Sequence, residues 1–174
     1  MNPLKVFMLC AVLTMPSYAR AQTAAPEESE VKAAFVYNFA KFVEWPLPSS
    51  PEIMLCMLGD GPVDEALGNL GGKSIGDRKL KVKRIAFRNV RDCDLLLVGA
   101  PEKQRLEQIL DAAREAGVLT IGDAPGLAQQ GVMLNFYLLD NKVRFEINLE
   151  AANHAGVKIS SKLIQLGKMV STSK

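Results

Sequence analysis

The sequence is poor in the side chains that most often carry chemistry. Its 174 residues hold one histidine, one tryptophan and three cysteines. A single imidazole cannot build a histidine-rich metal site, and His154 lies in a short polar segment of helical character where a solvated surface position is expected. Aromatic residues are only 6% of the chain. Apolar runs are short, and none reaches the roughly twenty residues that a membrane-crossing helix needs. Charge of one sign is also without excess, with 21 basic residues against 19 acidic ones. That balance lacks the basic footprint of a nucleic-acid binder or of a protein drawn to anionic lipid. No internal repeat is present.

What the chain does have begins at its N-terminus. MNPLKVFMLCAVLTMPSYARAQ combines Lys5, an apolar run from Val6 to Leu13 ended by Pro16, and Ala19-Arg20-Ala21 as a small-x-small cleavage site. These features predict a secretory signal peptide over residues 1–21, cleaved after Ala21. Cys10 lies inside the apolar run without the small residue that lipoprotein processing requires. Cleavage takes Lys5 and Arg20 with it, so nineteen basic residues then face nineteen acidic ones and the mature chain is formally neutral. It is expected to be soluble, with no direct membrane insertion. Residues 22–29 (QTAAPEES) read as a flexible tail, and 30–174 suit one compact domain.

Cys56 and Cys93 survive cleavage, and an even pair in an exported chain predicts a disulfide, with two buried free thiols as the alternative. Each begins or interrupts a strand-like run (IMLCML and CDLLLVG), so adjacent strands would bring them together. Closing a loop of about 38 residues would stabilise the fold by roughly 4 kcal/mol.

Apolar periodicity sets out the rest. A helix is expected from Glu28 to Glu44, stopping at Trp45-Pro46 because proline restricts the residue before it. IMLCML (53–58) is a strand, followed by a turn GDGP and a short helix from Val63 to Leu70. KLKVKRIAF (79–87) alternates apolar and basic residues, as an edge strand does. DLLLVG and VLTIGD have no polar alternation and should be buried on both faces, with a helix from Pro101 to Gly117 between them. VMLNFYLL and KVRFEINLE flank Asp140-Asn141, a hairpin pattern. A short helical stretch at 151–155, a VKI strand and a helix from Ser160 to Val170 close the chain. Strand and helix in alternation, then a hairpin in the C-terminal half, predict a single layered α/β domain with a mixed β-sheet flanked by helices. Strand order is not readable.

Candidate chemistry is sparse. LGDGP sits where a dinucleotide-binding protein carries GxGxxG, but only Gly59 and Gly61 match and Asp60 would repel a pyrophosphate. Asp60 and Asp123 both follow strands and could approach each other as an acid/base pair, although turns explain them equally well. Ser160-Ser161-Lys162 lacks Ser-x-x-Lys spacing, so Ser160 is expected to N-cap the last helix. Neither a catalytic nor a metal set emerges, and no cofactor is implied. Arg144, Glu146 and Asn148 form a polar row on the last hairpin strand, opposite Val143, Phe145, Ile147 and Leu149. That row is either the wet face of a sheet or a partner-binding surface.

The stretch VKAAFVYNFAKFVEWP gathers five of the chain's aromatic residues into sixteen positions. On a helix, Val31, Phe35, Phe39, Phe42 and Trp45 form one stripe, widened by Val36, Ala40 and Val43, with Tyr37, Lys41 and Glu44 opposite. This is the pattern of a helix docked on a sheet. Lys32, which points near the apolar stripe, fits it least well.

EVKAAFVYNFAKFVEWP, LCMLGD, LTIGDAPGLAQQGVMLNF and VRFEINLEAANHAGVKISSKLIQLGKMV, in that order, resemble the YfiR-like family of exported bacterial proteins. The resemblance covers essentially the whole mature chain. It implies a periplasmic α/β domain that is not an enzyme and that represses an inner-membrane diguanylate cyclase by engaging its periplasmic region. It further implies an outer-membrane lipoprotein that sequesters the repressor, lower cyclic di-GMP signalling and less biofilm, and it leaves a homodimer open. Cys56 and Cys93 fall in the strands where the family carries a cysteine pair, and a second pair found in some members is missing here. The alternative from another class is a periplasmic small-molecule binding module serving a transporter or sensor kinase.

Overall fold

The computed structural model describes residues 27–44 and 50–173. The signal peptide, most of the tail and Trp45-Pro46 lie outside the described residues. Helix α1 (Glu28–Phe42) leads into a two-residue strand β1 (Val43–Glu44). Then come β2 (Glu52–Leu58), α2 (Asp64–Gly68), β3 (Ser74–Ile75) and β4 (Arg78–Ile85). A 3-10 turn (Phe87–Asp92) precedes β5 (Leu95–Val98), and another (Ala100–Arg105) precedes α3 (Leu106–Ala116). The chain continues through β6 (Leu119–Gly122), a short 3-10 turn (Ala128–Gln130), β7 (Leu134–Leu139) and β8 (Lys142–Asn148). It closes with α4 (Leu149–His154), β9 (Lys158–Ile159), α5 (Ser161–Ile164) and β10 (Lys168–Val170).

Eight strands form one mixed sheet in the order β10-β8-β7-β6-β5-β2-β4-β3. Its centre, β4-β2-β5-β6-β7, is parallel throughout. In chain order those strands are second, first, third, fourth and fifth, the doubly wound arrangement in which the winding direction reverses between β2 and β5. Alternation along β2 shows the two layers. Ile53, Leu55 and Met57 face a core with Phe39, Leu67, Ala152 and Leu163 of α1, α2, α4 and α5. Cys56 and Leu58 face a second core with Val90 and with Leu106, Ile109 and Ala113 of α3. Helices therefore cover both faces, and the continuous apolar runs of β5 and β6 are buried on both sides, as expected of central parallel strands.

The aromatic stripe of α1 docks on the hairpin. Phe39 is fully buried, its ring 5.6 Å from that of Phe136 and 5.0 Å from that of Phe145, with Phe35 5.5 Å from Phe145. Tyr37 points the other way and donates to the Ser74 carbonyl at 2.7 Å. The hairpin turn at Asp140-Asn141 has φ of 49° and 56°, the pair of positive values that a two-residue turn matching strand twist requires.

Several elements differ from the sequence expectation. The helix expected from Pro101 opens as a 3-10 segment, and α3 itself begins at Leu106. Helix α1 ends at Phe42 rather than Glu44, because Val43 and Glu44 pair antiparallel with Ile159 and Lys158. The expected helix from Ser160 to Val170 lasts only to Ile164. Ser160 does N-cap it, accepting from Leu163 N at 3.4 Å. Gly167 then passes so close to β8 that a Cβ there would sit 2.6 Å from the Ile147 and Phe145 side chains. Released from helical geometry, Lys168–Val170 join the sheet as β10, parallel to Glu146–Asn148. The KLKVKRIAF strand, β4, has β2 on one side and only the two residues of β3 on the other, so it forms most of one sheet edge.

Candidate functional site

In a doubly wound sheet the ligand crevice lies beyond the carboxyl ends of the strands at the reversal point, here after β2 and β5. Gly59 takes φ +81° after β2, and a Cβ at Gly99 after β5 would sit 3.2 Å from the Leu58 and Asp60 carbonyl oxygens. The two loops are thus pressed together by glycines. Arg84, at the end of β4, donates to the Gly59 carbonyl at 2.6 Å, to Asp64 at 2.7 Å and to Asp60. The hydrogen bond to Asp64, with the attraction of both carboxylates, outweighs desolvation and holds the guanidinium pKa above its ordinary value. Asp64 also accepts from Gly61 N at 2.9 Å. The backbone donor that a phosphate would use in this turn is therefore engaged by a carboxylate. Arg84 and Asp64 thus tie this turn together with the protein's own side chains.

One strand further along the same edge, Asp123 follows β6 and takes a different cation. Lys32 of α1 lies 2.5 Å from the Asp123 carboxylate and 2.5 Å from Glu28 one helical turn away, and its side chain is 9% exposed. Burial pulls the ammonium pKa down, but hydrogen bonds to Asp123 and then Glu28, with their Coulomb attraction, more than offset this and the net shift is upward. Asp60 and Asp123 are thus bound to Arg84 and Lys32, in two separate ion-pair networks rather than in one acid/base pair. The oddity of Lys32 in an apolar stripe was the signal for this pair; nothing marked Arg84.

The polar row of β8 is divided by the structure. Arg144 is exposed, but Glu146 and Asn148 are buried, contrary to the expectation of a continuous solvated row. The cause is β10 and the residues after it. Lys168 reaches Glu146 at 3.1 Å, and Gln129 donates weakly to it at 3.4 Å. Asn148 donates to the Ala128 carbonyl and to the Thr172 hydroxyl while its Oδ1 accepts from Ala151 N, capping α4. Ser173 N completes the closure on the Gln129 carbonyl. These two side chains hold the C-terminal segment down.

On the same side of the sheet an open cleft of about 1070 Å³ is lined by Leu110, Arg114, Gln129, Met133, His154 and Thr172 among others. His154 is exposed at this cleft, in agreement with its expected surface position. Cys56 and Cys93 are joined by a disulfide with Cα atoms 5.9 Å apart, linking β2 to the residue two before β5. No group of three or more metal-ligating side chains is found among the described residues, and no described helix is long and apolar enough to cross a membrane.

Solved structures share this architecture at low identity. The ABC domain in complex with L-Trp from Streptococcus pneumonia matches with TM-score 0.56 and 8% identity over 82% of this chain. A conserved domain protein from Vibrio cholerae O1 biovar El Tor matches with TM-score 0.52 and 12% identity over 84% of it. The match spans 60% of the length of each of those proteins, and the likeness shows a common α/β fold. Residues 29–168, from the first turn of α1 to the first residue of β10, match the family described as YfiR/HmsC-like. The matched span takes in the docked aromatic helix, the disulfide and the hairpin, and the chain belongs to the YfiR/HmsC-like family.

Proposed function

We propose that this chain is an exported, non-catalytic regulator that binds the periplasmic region of an inner-membrane diguanylate cyclase and lowers cyclic di-GMP output. The observation that carries the proposal is family membership over 29–168, supported by a sequence start that reads as a signal peptide and by a disulfide suited to an oxidising compartment. Control would be stoichiometric. Binding one conformation of the cyclase's periplasmic region shifts its population by no more than the difference in affinity between its states. Arg144, exposed on β8, is the polar-row residue left free for such a contact. Sequestration by an outer-membrane lipoprotein belongs to the same proposal.

Deleting the gene should raise cyclic di-GMP and biofilm in cells that carry the cyclase, and a plasmid copy should restore both. Unchanged cyclic di-GMP in the deletion strain overturns the proposal. The open cleft favours a second reading, a small-molecule binding module, since the L-Trp complex shares the fold. A thermal-shift screen of periplasmic metabolites tests it, because a bound ligand raises stability by mass action.

A further inference from the structure

The cleft of about 1070 Å³ lies where α3, α4, the turn at 126–131 and the last described residues come together. Glu107, Leu110, Asp111 and Arg114 of its lining recur at helical spacing, so one face of α3 supplies them. Glu150 and Ala151 come from the first turn of α4. Thr120 and Met133 are buried and form the floor. Leu110, Ala151 and Met133 thus give the cleft apolar surface on both helices and beneath them.

The charges of this lining do not cancel. Asp111 is paired with Arg114 one turn further along α3. Glu107 and Glu150 are exposed and form no ion pair among the described residues. Lys103, in the 3-10 segment before α3, is the other cation of fixed charge. Apart from His154, three carboxylates therefore stand against two cations, one of them already committed to Asp111. Gln129 adds a buried Oε1 that receives no hydrogen bond, and an N–H reaching it would remove the cost of an unmatched acceptor. A phosphate or dicarboxylate would meet the excess negative charge. An amino acid's carboxylate would find only Lys103 uncommitted.

We propose that this cleft binds a linear aliphatic polyamine, with ammonium groups on Glu107 and Glu150 and methylene groups over Leu110, Met133 and Ala151. An alkyl chain with charged ends lies on apolar surface while those ends stay hydrated or paired, as a lysine stem does. Two carboxylates engaged by one chain bind more tightly than either engages a single ammonium, because the second contact forms within the complex. The proposal deepens the reading of the cleft as a small-molecule site and rests on it, and it requires no cyclase.

Isothermal titration of the mature chain with spermidine, at physiological salt, is the test. Saturable binding of one spermidine per chain is expected, with butylamine, which has a single ammonium, at least about tenfold weaker. Magnesium chloride at equal charge should not displace it, since a hydrated dication gains nothing from the apolar surface. Glu107→Gln and Glu150→Gln should each weaken binding by about three- to fivefold, as exposed pairs do, and the double variant should lose more than either. Both positions are exposed, and circular dichroism checks that the variants fold. Glu30→Gln/Glu65→Gln, in the separate groove between α1 and α2, should bind as the parent does. Absent binding, displacement by magnesium, indifference to the Glu107 and Glu150 variants, or loss in the Glu30 and Glu65 variant overturns the proposal. If spermidine fails while another metabolite slows amide exchange at the cleft residues, the polyamine assignment falls and the small-molecule reading stands. If no metabolite protects the cleft, both fall.

Discussion

Replacing Lys32 with methionine would break the contact that pins the first turns of α1 to the end of β6. The ammonium lies 2.5 Å from Asp123, whose side chain is 13% exposed, and 2.5 Å from Glu28, whose side chain is 48% exposed. The half-exposed Glu28 contact resembles a surface pair, worth at most about 1 kcal/mol. Asp123 is different, because methionine leaves its carboxylate nearly buried without a cation, and losing one partner of a buried pair costs about 3 to 5 kcal/mol. With some residual exposure of Asp123, a loss near the lower end, about 3 kcal/mol, is expected. The paired replacement Lys32→Met/Asp123→Leu removes both charges and should fall within about 1 kcal/mol of the parent, recovering roughly 2 kcal/mol of the loss in Lys32→Met.

Urea denaturation at pH 7 reads this directly. With a slope of about 2 kcal/mol per molar, Lys32→Met should lower the midpoint by about 1.5 M, and the double variant should recover most of that. A pH series supplies the sign. Lys32 titrates above its ordinary 10.5 in the folded chain, so its contribution is fully present below that value and is lost as pH rises through the folded pKa. The parent should lose this contribution as pH is raised above about 10.5, and Lys32→Met should not. A Lys32→Met variant within about 0.5 kcal/mol of the parent at pH 7 would refute the assignment of a buried, stabilising pair.

Reducing the Cys56–Cys93 bond frees a chain separation of 37 residues. It should cost about 4 kcal/mol in the chain-entropy account, and urea midpoints indistinguishable with and without reductant would count against that figure. Phe39→Ala removes a fully buried ring between Phe136 and Phe145 and should destabilise by about 3 to 5 kcal/mol. A stable Phe39→Ala variant that had lost only partner binding would move the aromatic cluster from core to interface. Gly167→Ala places a methyl group 2.6 Å from Ile147 and Phe145 and should unseat β10 at a cost of about 1 to 3 kcal/mol. Faster amide exchange at Lys168–Val170 in that variant is the check; unchanged exchange shows that Ile147 yields without moving the strand.

Much of the fold was legible because it rests on local patterns. The α1 stripe has helical spacing, β5 and β6 are continuous apolar runs, and Asp140-Asn141 interrupts two alternating segments. The positive φ values at that turn show that two short polar residues served where glycine is more usual. Less legible were features set by packing between segments distant in sequence. Strand order depends on where α2 and α3 cross the sheet, and no local periodicity records that. Lys32 announced its own anomaly in an apolar stripe, yet its partner lies 91 residues away. Asp123 could be seen only as one of two acids after strands; the structure binds each to a separate cation.

The β8 row shows how one such long-range decision alters a functional assignment. Alternation correctly put Arg144, Glu146 and Asn148 on one face, but alternation is silent about what covers that face. ISSKLIQLGKMV has helical spacing at its start, but the helix stops at Ile164 and Gly167, passing close beside Ile147, leads its end into a strand. That strand and Thr172 bring Lys168 to Glu146 and a hydroxyl to Asn148, so two of the three polar residues hold the C-terminal segment down. Arg144 lies beyond the reach of β10 and remains exposed on a stretch of β8 that has no strand on its outer side among the described residues. The same short strand that buries one end of the row thus leaves the other end as an open edge. Charge reversal at Arg144 should affect binding and spare stability, whereas Glu146→Ala should leave Lys168 without its acid and loosen β10 first.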